Sequence, residues 1–213
     1  MNLKSTLFTF LLVTILFGCK QENTFSDYKY SDKPEVIKCD GLNSKLYSEA
    51  LYSFEDDIFK FYQQKQANTT LVQAYSQFIR SAVYSSRYKL EEIPSKHTLD
   101  VFEALKNESD LWDAENTESH LNYNGTAINC IANNINDGNL KTTFNALLSS
   151  NSLSPKLFGA PLVSKYRNAL SDKYLALYIA LEYYSELFDI DLSKVTLNKP
   201  QQKVDFNKVP KTP

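Results

Sequence analysis

Apolar residues recur at helical spacing along most of the chain. In the first such stretch the apolar positions lie four or three residues apart: Tyr47, Leu51, Phe54, Ile58 and Phe61. Since an α-helix has 3.6 residues per turn, these positions form one continuous face. The pattern predicts a helix that begins at Asn43 or Ser44 and ends near Gln66.

Further stretches show the same periodicity. A second helix is predicted to run from a cap at Asn68 or Thr69 to about Arg87, and a shorter one begins at Ser95 or Thr98. Three later helices are predicted from these apolar positions: Ile128, Ile131 and Ile135; Leu140, Phe144 and Leu147; Leu170, Tyr174, Leu177, Leu181, Tyr184 and Phe188.

Polar and turn-forming residues separate these helices. Residues 107–126 are polar and acidic and predict a long loop. Pro155 after Ser154 marks a helix start, whereas Gly159 and Pro161 predict that this helix is interrupted. Because the chain of 213 residues has only five glycines, a fold with many tight turns is disfavoured. We therefore predict an all-α fold, an irregular bundle of about six or seven helices with an extended C-terminal tail.

The first nineteen residues have a different character. A start with one charge, Lys4, is followed by an apolar run from Leu7 to Phe17, and then by Gly18 and Cys19. A helix needs about 20 apolar residues to cross a bilayer, so the run is too short to span one. This order of segments is typical of a secretory signal peptide.

The end of that segment resembles the lipobox of bacterial lipoproteins. Leu16, Gly18 and Cys19 fit the pattern, and Phe17 is bulkier than its usual residue. The resemblance covers residues 1–19 and implies cleavage before Cys19, attachment of a diacylglycerol that carries fatty acids such as palmitate to its thiol, and anchoring in a lipid bilayer. Lys20, where an Asp would imply retention on the inner membrane, implies the outer membrane of a double-membrane bacterium. An ordinary signal peptide with a chance cysteine is the alternative.

Composition along the chain suggests four segments. Residues 1–18 are the predicted signal peptide, and 19–35 a lipidated flexible tether, because they are mostly polar. Residues 36–196 form a single helical domain, and 197–213 an extended or disordered tail that contains three prolines.

Charge and motifs exclude several functional classes. The formal net charge is −2, which provides no basic footprint for nucleic acid. Glycine-rich nucleotide loops and the Gly-x-Ser-x-Gly motif of hydrolases do not occur, so we expect no nucleotide and no cofactor. His97 and His120 have no His or Cys three to five residues away, so no metal site is expected, and we interpret both as solvated.

Two cysteines remain in the exported part, Cys39 and Cys130. On its predicted helix Cys130 points away from the apolar face, which argues against a purely core role. An oxidising compartment allows disulfides. We therefore predict a Cys39–Cys130 disulfide, with two unpaired thiols as the alternative.

Two groups of acidic residues are candidates for chemistry. Glu55, Asp56 and Asp57 are consecutive, which fans them over roughly 200° of a helix and prevents them from converging. Glu182, Glu186 and Asp189 share one helical face beside the apolar one. We interpret this row as a solvated flank, or as a site for a cation or for general acid–base chemistry if a second helix completes it.

The chain is rich in aromatic residues, with 14 Tyr and 13 Phe. Tyrosines off the apolar faces are hypothesised to form an exposed binding surface: Tyr52, Tyr62, Tyr84, Tyr88, Tyr178 and Tyr183. No catalytic residue is identified. The sequence thus favours a non-enzymatic binding or accessory protein of the cell envelope, with an envelope protein or glycan as partner. The alternative is an envelope enzyme that uses Glu182 and Glu186 in a cleft.

The predicted anchor can be tested directly. We expect labelled palmitate to enter the protein in its bacterial host, and Cys19→Ala to lose both the label and the membrane fractionation, because the thiol is the acylation site. Metabolic labelling with cell fractionation measures both. A Cys19→Ala protein that fractionates like the unaltered one would contradict the lipobox interpretation.

Overall fold

A computed structural model of the chain describes residues 25–85 and 89–195, and the all-α prediction is confirmed over them. It has eight helices: α1 Ser44–Lys65, α2 Leu71–Tyr84, α3 Lys96–Leu105, α4 Thr126–Asn134, α5 Gly138–Ser149, α6 Pro155–Lys165, α7 Asn168–Ser171 and α8 Lys173–Glu186. Two 3₁₀ turns add Leu90–Glu92 and Leu192–Lys194. Within the described part no helix is long and apolar enough to cross a membrane. The predicted signal peptide, Cys19, Tyr88 and the tail at 197–213 lie outside the described residues.

Side-chain caps explain where the first helices begin. Asn43 caps α1 by accepting a hydrogen bond from the Leu46 amide. The cap of α2 is Thr70, one residue beyond the predicted positions, because Gln73 completes a reciprocal capping box with it. Thr69 is buried instead and donates its hydroxyl to the carbonyl of Tyr62.

Helices α1 and α8 form the centre of the domain. α8 packs against α1, α4 and α7, while α1 also packs against α2 and α3. Helices α5 and α6 complete the bundle around this pair. α6 contacts both α2 and α5, and α5 contacts α4. Every residue of α8 from Leu175 to Ser185 is buried, so this helix has no solvent face.

Two predicted boundaries near the C-terminus are wrong. The segment from Pro155 is not interrupted, because α6 continues through Gly159 and Pro161 to Lys165. The last long helix, in contrast, is broken at Asp172, which ends α7 and caps α8 through the Leu175 amide. An aspartate competes for backbone amides, which makes it a stronger helix-start signal than the apolar spacing around it.

Residues 25–37 are docked on the domain, which corrects the predicted flexible tether for its described part. The amides of Lys29 and Tyr30 donate to the carboxylate of Glu49, at 2.7 and 3.1 Å. The Tyr30 hydroxyl donates to Asp56, and Val36 is buried with its amide bonded to Ser48. Acidic side chains on α1 thus satisfy backbone donors of a segment that looked merely polar in the sequence.

The same carboxylate explains why the interpretation of His97 as a solvated residue is wrong. His97 Nε2 lies 2.6 Å from Glu49 Oε1, and the imidazole is 14% exposed. Glu49 itself is buried in α1. His97 therefore joins the start of α3 to α1 beneath the docked segment.

A disulfide links Cys39 to Cys130, with their Cα atoms 6.2 Å apart. It fixes the segment before α1 to α4, across 91 positions of sequence. The chain-entropy estimate for closing a loop of this length is roughly 4–5 kcal/mol as an upper value.

Helices α2 and α6 cross closely at Gly159. A Cβ placed there would overlap Cγ2 of Val83 and lie 3.2 Å from its Cγ1. Glycine is therefore required at this contact, although it is a poor helix former.

The crossing predicts that the effect of Gly159→Ala on stability changes sign with the residue at position 83. Gly159→Ala should destabilise the protein, because overpacking costs about 1–3 kcal/mol and the gain in helix propensity is only about 1 kcal/mol. In a Val83→Ala background the overlap is gone, and the same Gly159→Ala change should stabilise. Denaturant unfolding of the four proteins of this cycle measures the coupling, and additive effects would contradict the close crossing.

Candidate functional site

Helices α2, α6 and α8 border a narrow, mostly apolar crevice of about 40 Å³. Twelve residues line it: Phe78, Ile79, Ala82, Val83, Pro155, Gly159, Leu162, Tyr178, Ile179, Glu182, Tyr183 and Glu186. Two members of the predicted acidic row, Glu182 and Glu186, are therefore brought to one cavity. The third, Asp189, is exposed and contacts His120 at 2.9 Å instead.

Both carboxylate oxygens of Glu182 are hydrogen-bonded to side chains of the long loop. Its Oε2 accepts a hydrogen bond of 2.8 Å from the Ser119 hydroxyl, and its Oε1 accepts one of 3.0 Å from the Tyr123 hydroxyl. Ser119 also contacts the hydroxyl of Ser185, which in turn accepts from the His120 amide. The carboxylate thus anchors residues 119–123 to α8.

Burial dominates the electrostatics of Glu182. Removal from water raises its pKa to about 7, and the hydrogen bonds from neighbouring hydroxyls offset only part of this rise. A group with both oxygens occupied by structural donors has little freedom to move protons to a ligand.

Glu186 differs from Glu182 one turn before it. It is half-buried and makes no salt bridge with any residue that the structure describes. Burial, followed by repulsion from Glu182 and Asp189, raises its pKa to about 8. No Lys or Arg lies among the residues that line the crevice. Glu186 is therefore a carboxyl group at an apolar cavity, without a basic side chain beside it to favour its ionised form.

Tyr178 supplies a second unusual group. Its ring is 1% exposed and packs edge-to-face against Phe144 and Phe158. Its hydroxyl is buried and makes no hydrogen bond of good geometry in the described part, but Glu182 and Tyr123 lie close enough to interact with it. A buried hydroxyl is costly unless something satisfies it, and the loosely placed Glu182 and Tyr123 leave room for a further partner such as water or a ligand atom.

The hypothesis of an exposed tyrosine surface is wrong for four of its six residues. Tyr52, Tyr62, Tyr178 and Tyr183 are all at most 6% exposed. They lie on α1 and α8, which neighbouring elements surround, so residues away from the main apolar face are buried too. Tyr84 is 64% exposed at the end of α2 and forms no cluster with them.

The acidic triplet in α1 fans out as predicted. Glu55 accepts from Tyr75 and Lys173, and Asp56 pairs with Lys29 and Lys60. These two carboxylates face different neighbours and cannot share a ligand.

Asp57 is the innermost residue of the triplet. Its Oδ2 accepts from the Ser95 amide at 2.8 Å and from the Thr98 hydroxyl, while its Oδ1 has no partner. Burial raises its pKa to about 6. Since Asp57 is fully buried between α1 and α3, no ligand reaches it from outside.

A wider, shallower hollow lies beside the disulfide and is lined largely by polar residues of the Cys39 segment and α4. Two of its four asparagine side-chain amides already have partners, since Asn129 donates to the carbonyl of Asn124 and Asn134 to that of Cys130. The hollow has no aromatic residue in its lining on which a sugar could stack. It is therefore a weaker candidate than the crevice.

Over residues 25–85 and 89–195, no three His, Cys, Asp or Glu side chains are grouped to hold a metal ion. Comparisons of the chain with protein-family models, with curated protein sequences and with solved structures found no match.

Sequence reasoning missed the partners of Glu182. Ser119 and Tyr123 lie in the polar stretch 107–126, where no periodicity marks a buried residue. The only local signal was the apolar pair Leu111 and Trp112. Leu111 is buried, and the Trp112 indole donates to the Leu105 carbonyl, so this pair attaches the loop to α3.

The crevice acids predict an unusual dependence of stability on pH. Because the folded protein raises the pKa of Glu182 and Glu186, it binds protons more tightly than the unfolded chain does. The free energy of unfolding should therefore be highest below about pH 4.5 as far as these groups are concerned, and fall as the pH rises to about 8. For Glu182 the full loss is roughly 3 kcal/mol.

Urea unfolding at several pH values measures this slope. Glu182→Gln removes one of the two titrating groups and should make the fall in stability between about pH 5 and pH 7 shallower, while Glu186 keeps its own contribution up to about pH 8. Glu103→Gln, at an exposed position on α3, should leave the curve unchanged. A flat curve for the unaltered protein would contradict the assignment.

Proposed function

We propose that this protein is a membrane-anchored bacterial lipoprotein that works as a non-enzymatic binding or accessory protein of the cell envelope. The crevice between α2, α6 and α8 is its binding site, and an envelope component, either a protein or a glycan, is its partner. Acylated Cys19 attaches the domain to the outer membrane.

One observation carries the proposed site: Glu186 brings a carboxyl group without a basic partner to an apolar crevice. Apolar cavities with a few convergent polar groups are the usual form of small binding sites. The lining contains no Ser, Cys or His, so the common nucleophiles and bases of hydrolytic enzymes are missing from it. Binding therefore accounts for the geometry better than catalysis does.

The proposed location at the cell envelope is supported by other observations. Residues 1–19 resemble a lipoprotein signal, and the Cys39–Cys130 disulfide suits an oxidising compartment. The described helices offer no alternative membrane span.

A second function is favoured by one observation, the pKa of about 7 for Glu182 and about 8 for Glu186. Such values suit a general acid at neutral pH. In this alternative the protein is an envelope enzyme whose dispersed acids act in the crevice.

Capture from envelope extracts tests the site. The exported protein is compared with Ala82→Trp, which fills the mouth of the crevice from an exposed position on α2. Ala160→Trp is the matched control, since Ala160 is exposed on α6 and does not line the crevice. We expect a component that the unaltered protein and Ala160→Trp retain and Ala82→Trp loses.

The form in which the component is recovered separates the two functions. Recovery with unchanged mass supports binding. Release with altered mass, lost in Glu186→Gln, would support the enzyme instead. Equal capture by all three proteins would show that the crevice is not the binding site.

A further inference from the structure

We propose that the crevice binds a short alkyl chain that ends in a primary ammonium group and is carried by a small molecule. This ligand class rests on the proposed function, since it takes the same crevice as the binding site. The chemistry of the lining residues, one group at a time, identifies it.

The charged end of the ligand is assigned by Glu186. A half-buried carboxylate without a described salt bridge is stabilised by any cation that enters the crevice. An ammonium group also donates hydrogen bonds, and hydrogen bonds between ionised partners are about twice as strong as neutral ones. An anionic ligand would meet repulsion from Glu186 and from Glu182 one turn before it.

The buried hydroxyl of Tyr178 is a second indication. It belongs to a residue of the crevice lining, and it interacts with Glu182 and Tyr123 without a hydrogen bond of good geometry to either. As an acceptor it can take a second N–H of the same ammonium group, directly or through a water molecule. A primary ammonium, with three donors, matches this arrangement better than a quaternary one.

The alkyl part of the ligand follows from the walls. Ile79, Val83, Leu162 and Ile179 provide apolar surface from all three helices. A volume near 40 Å³ accepts one narrow chain and excludes a ring or a branched group.

The surroundings argue for a small molecule and against a peptide. Tyr84 and Leu157 are the large exposed apolar residues of α2 and α6. At 100° per residue, each lies on the side of its helix opposite to the lining positions. The mouth of the crevice therefore lacks the apolar rim that a peptide footprint would need.

The test is a titration of the exported protein with n-butylammonium chloride, followed by the NMR shifts of the Ile79 and Leu162 methyl groups. It is run at about pH 8.5, above the raised pKa of Glu186 and below that of an alkylamine, so that most of the carboxyl groups are ionised and the amine keeps its proton. We expect butylammonium to bind about tenfold more tightly than 1-butanol, and butyrate to cause no shift.

Variants assign that preference to Glu186. In Glu186→Gln the preference for butylammonium over butanol should shrink to about twofold or less, while butanol itself binds as before. Glu103→Gln should keep the tenfold preference, and Ala82→Trp should abolish the shifts caused by both ligands. Because the readout is a ratio between two ligands, a general loss of stability does not imitate it.

Several results would overturn the ligand class. Equal binding of butanol and butylammonium removes the role of Glu186. Tighter binding of Nα-acetyl-lysine methylamide than of butylammonium assigns the crevice to a peptide lysine. A carbodiimide cross-link from Glu186 to Lys199, Lys203, Lys208 or Lys211 assigns it to the C-terminal segment of the same chain.

The two proposals fail in distinguishable ways. If butylammonium gives no shift but the capture of an envelope component still depends on Ala82, the ligand class is wrong and the binding function stands. If capture is also insensitive to Ala82→Trp, the crevice is not the binding site, and both proposals are overturned.

Discussion

The burial of α8 from Leu175 to Ser185 is the constraint on which the architecture depends. A helical segment without a solvent face tends to place its polar side chains against partners, because an unsatisfied buried group costs about 1–3 kcal/mol. Asp172 at its start accepts from the Asn136 amide, Glu182 accepts from the Ser119 hydroxyl, and Ser185 accepts from the His120 amide. The elements around α8 are thus positioned as much by these polar contacts as by apolar packing.

Periodicity in the sequence was sufficient for the outer features of this arrangement. It located α1 within a residue at each end, because Asn43 caps it and one apolar face runs its length. It could not reveal that α8 is buried on all sides, since tyrosine is compatible with both core and surface. The same ambiguity made Tyr178 and Tyr183 look like surface residues.

The site was only half visible for a related reason. Glu182 and Glu186 stood out because their spacing places them on one face of a predicted helix. The walls of the crevice come from α2 and α6, which are distant in sequence and carry no motif. Glu182 is the acid whose oxygens are already hydrogen-bonded, because Ser119 and Tyr123 donate to it. Only the folded loop brings these hydroxyls to Glu182. Tertiary contacts therefore distinguish Glu182, which holds the loop, from Glu186, which is available to a ligand. No local sequence pattern distinguishes them.

The docked segment before α1 also has a mechanical consequence. Tension applied to the chain ahead of residue 25 first meets the hydrogen bonds between the amides of Lys29 and Tyr30 and the Glu49 carboxylate. Should they yield, the load passes at Cys39 through a covalent bridge into α4. The first turn of α1 is thereby shielded from direct traction, and a domain tethered at this end would resist shear by sharing it between two helices.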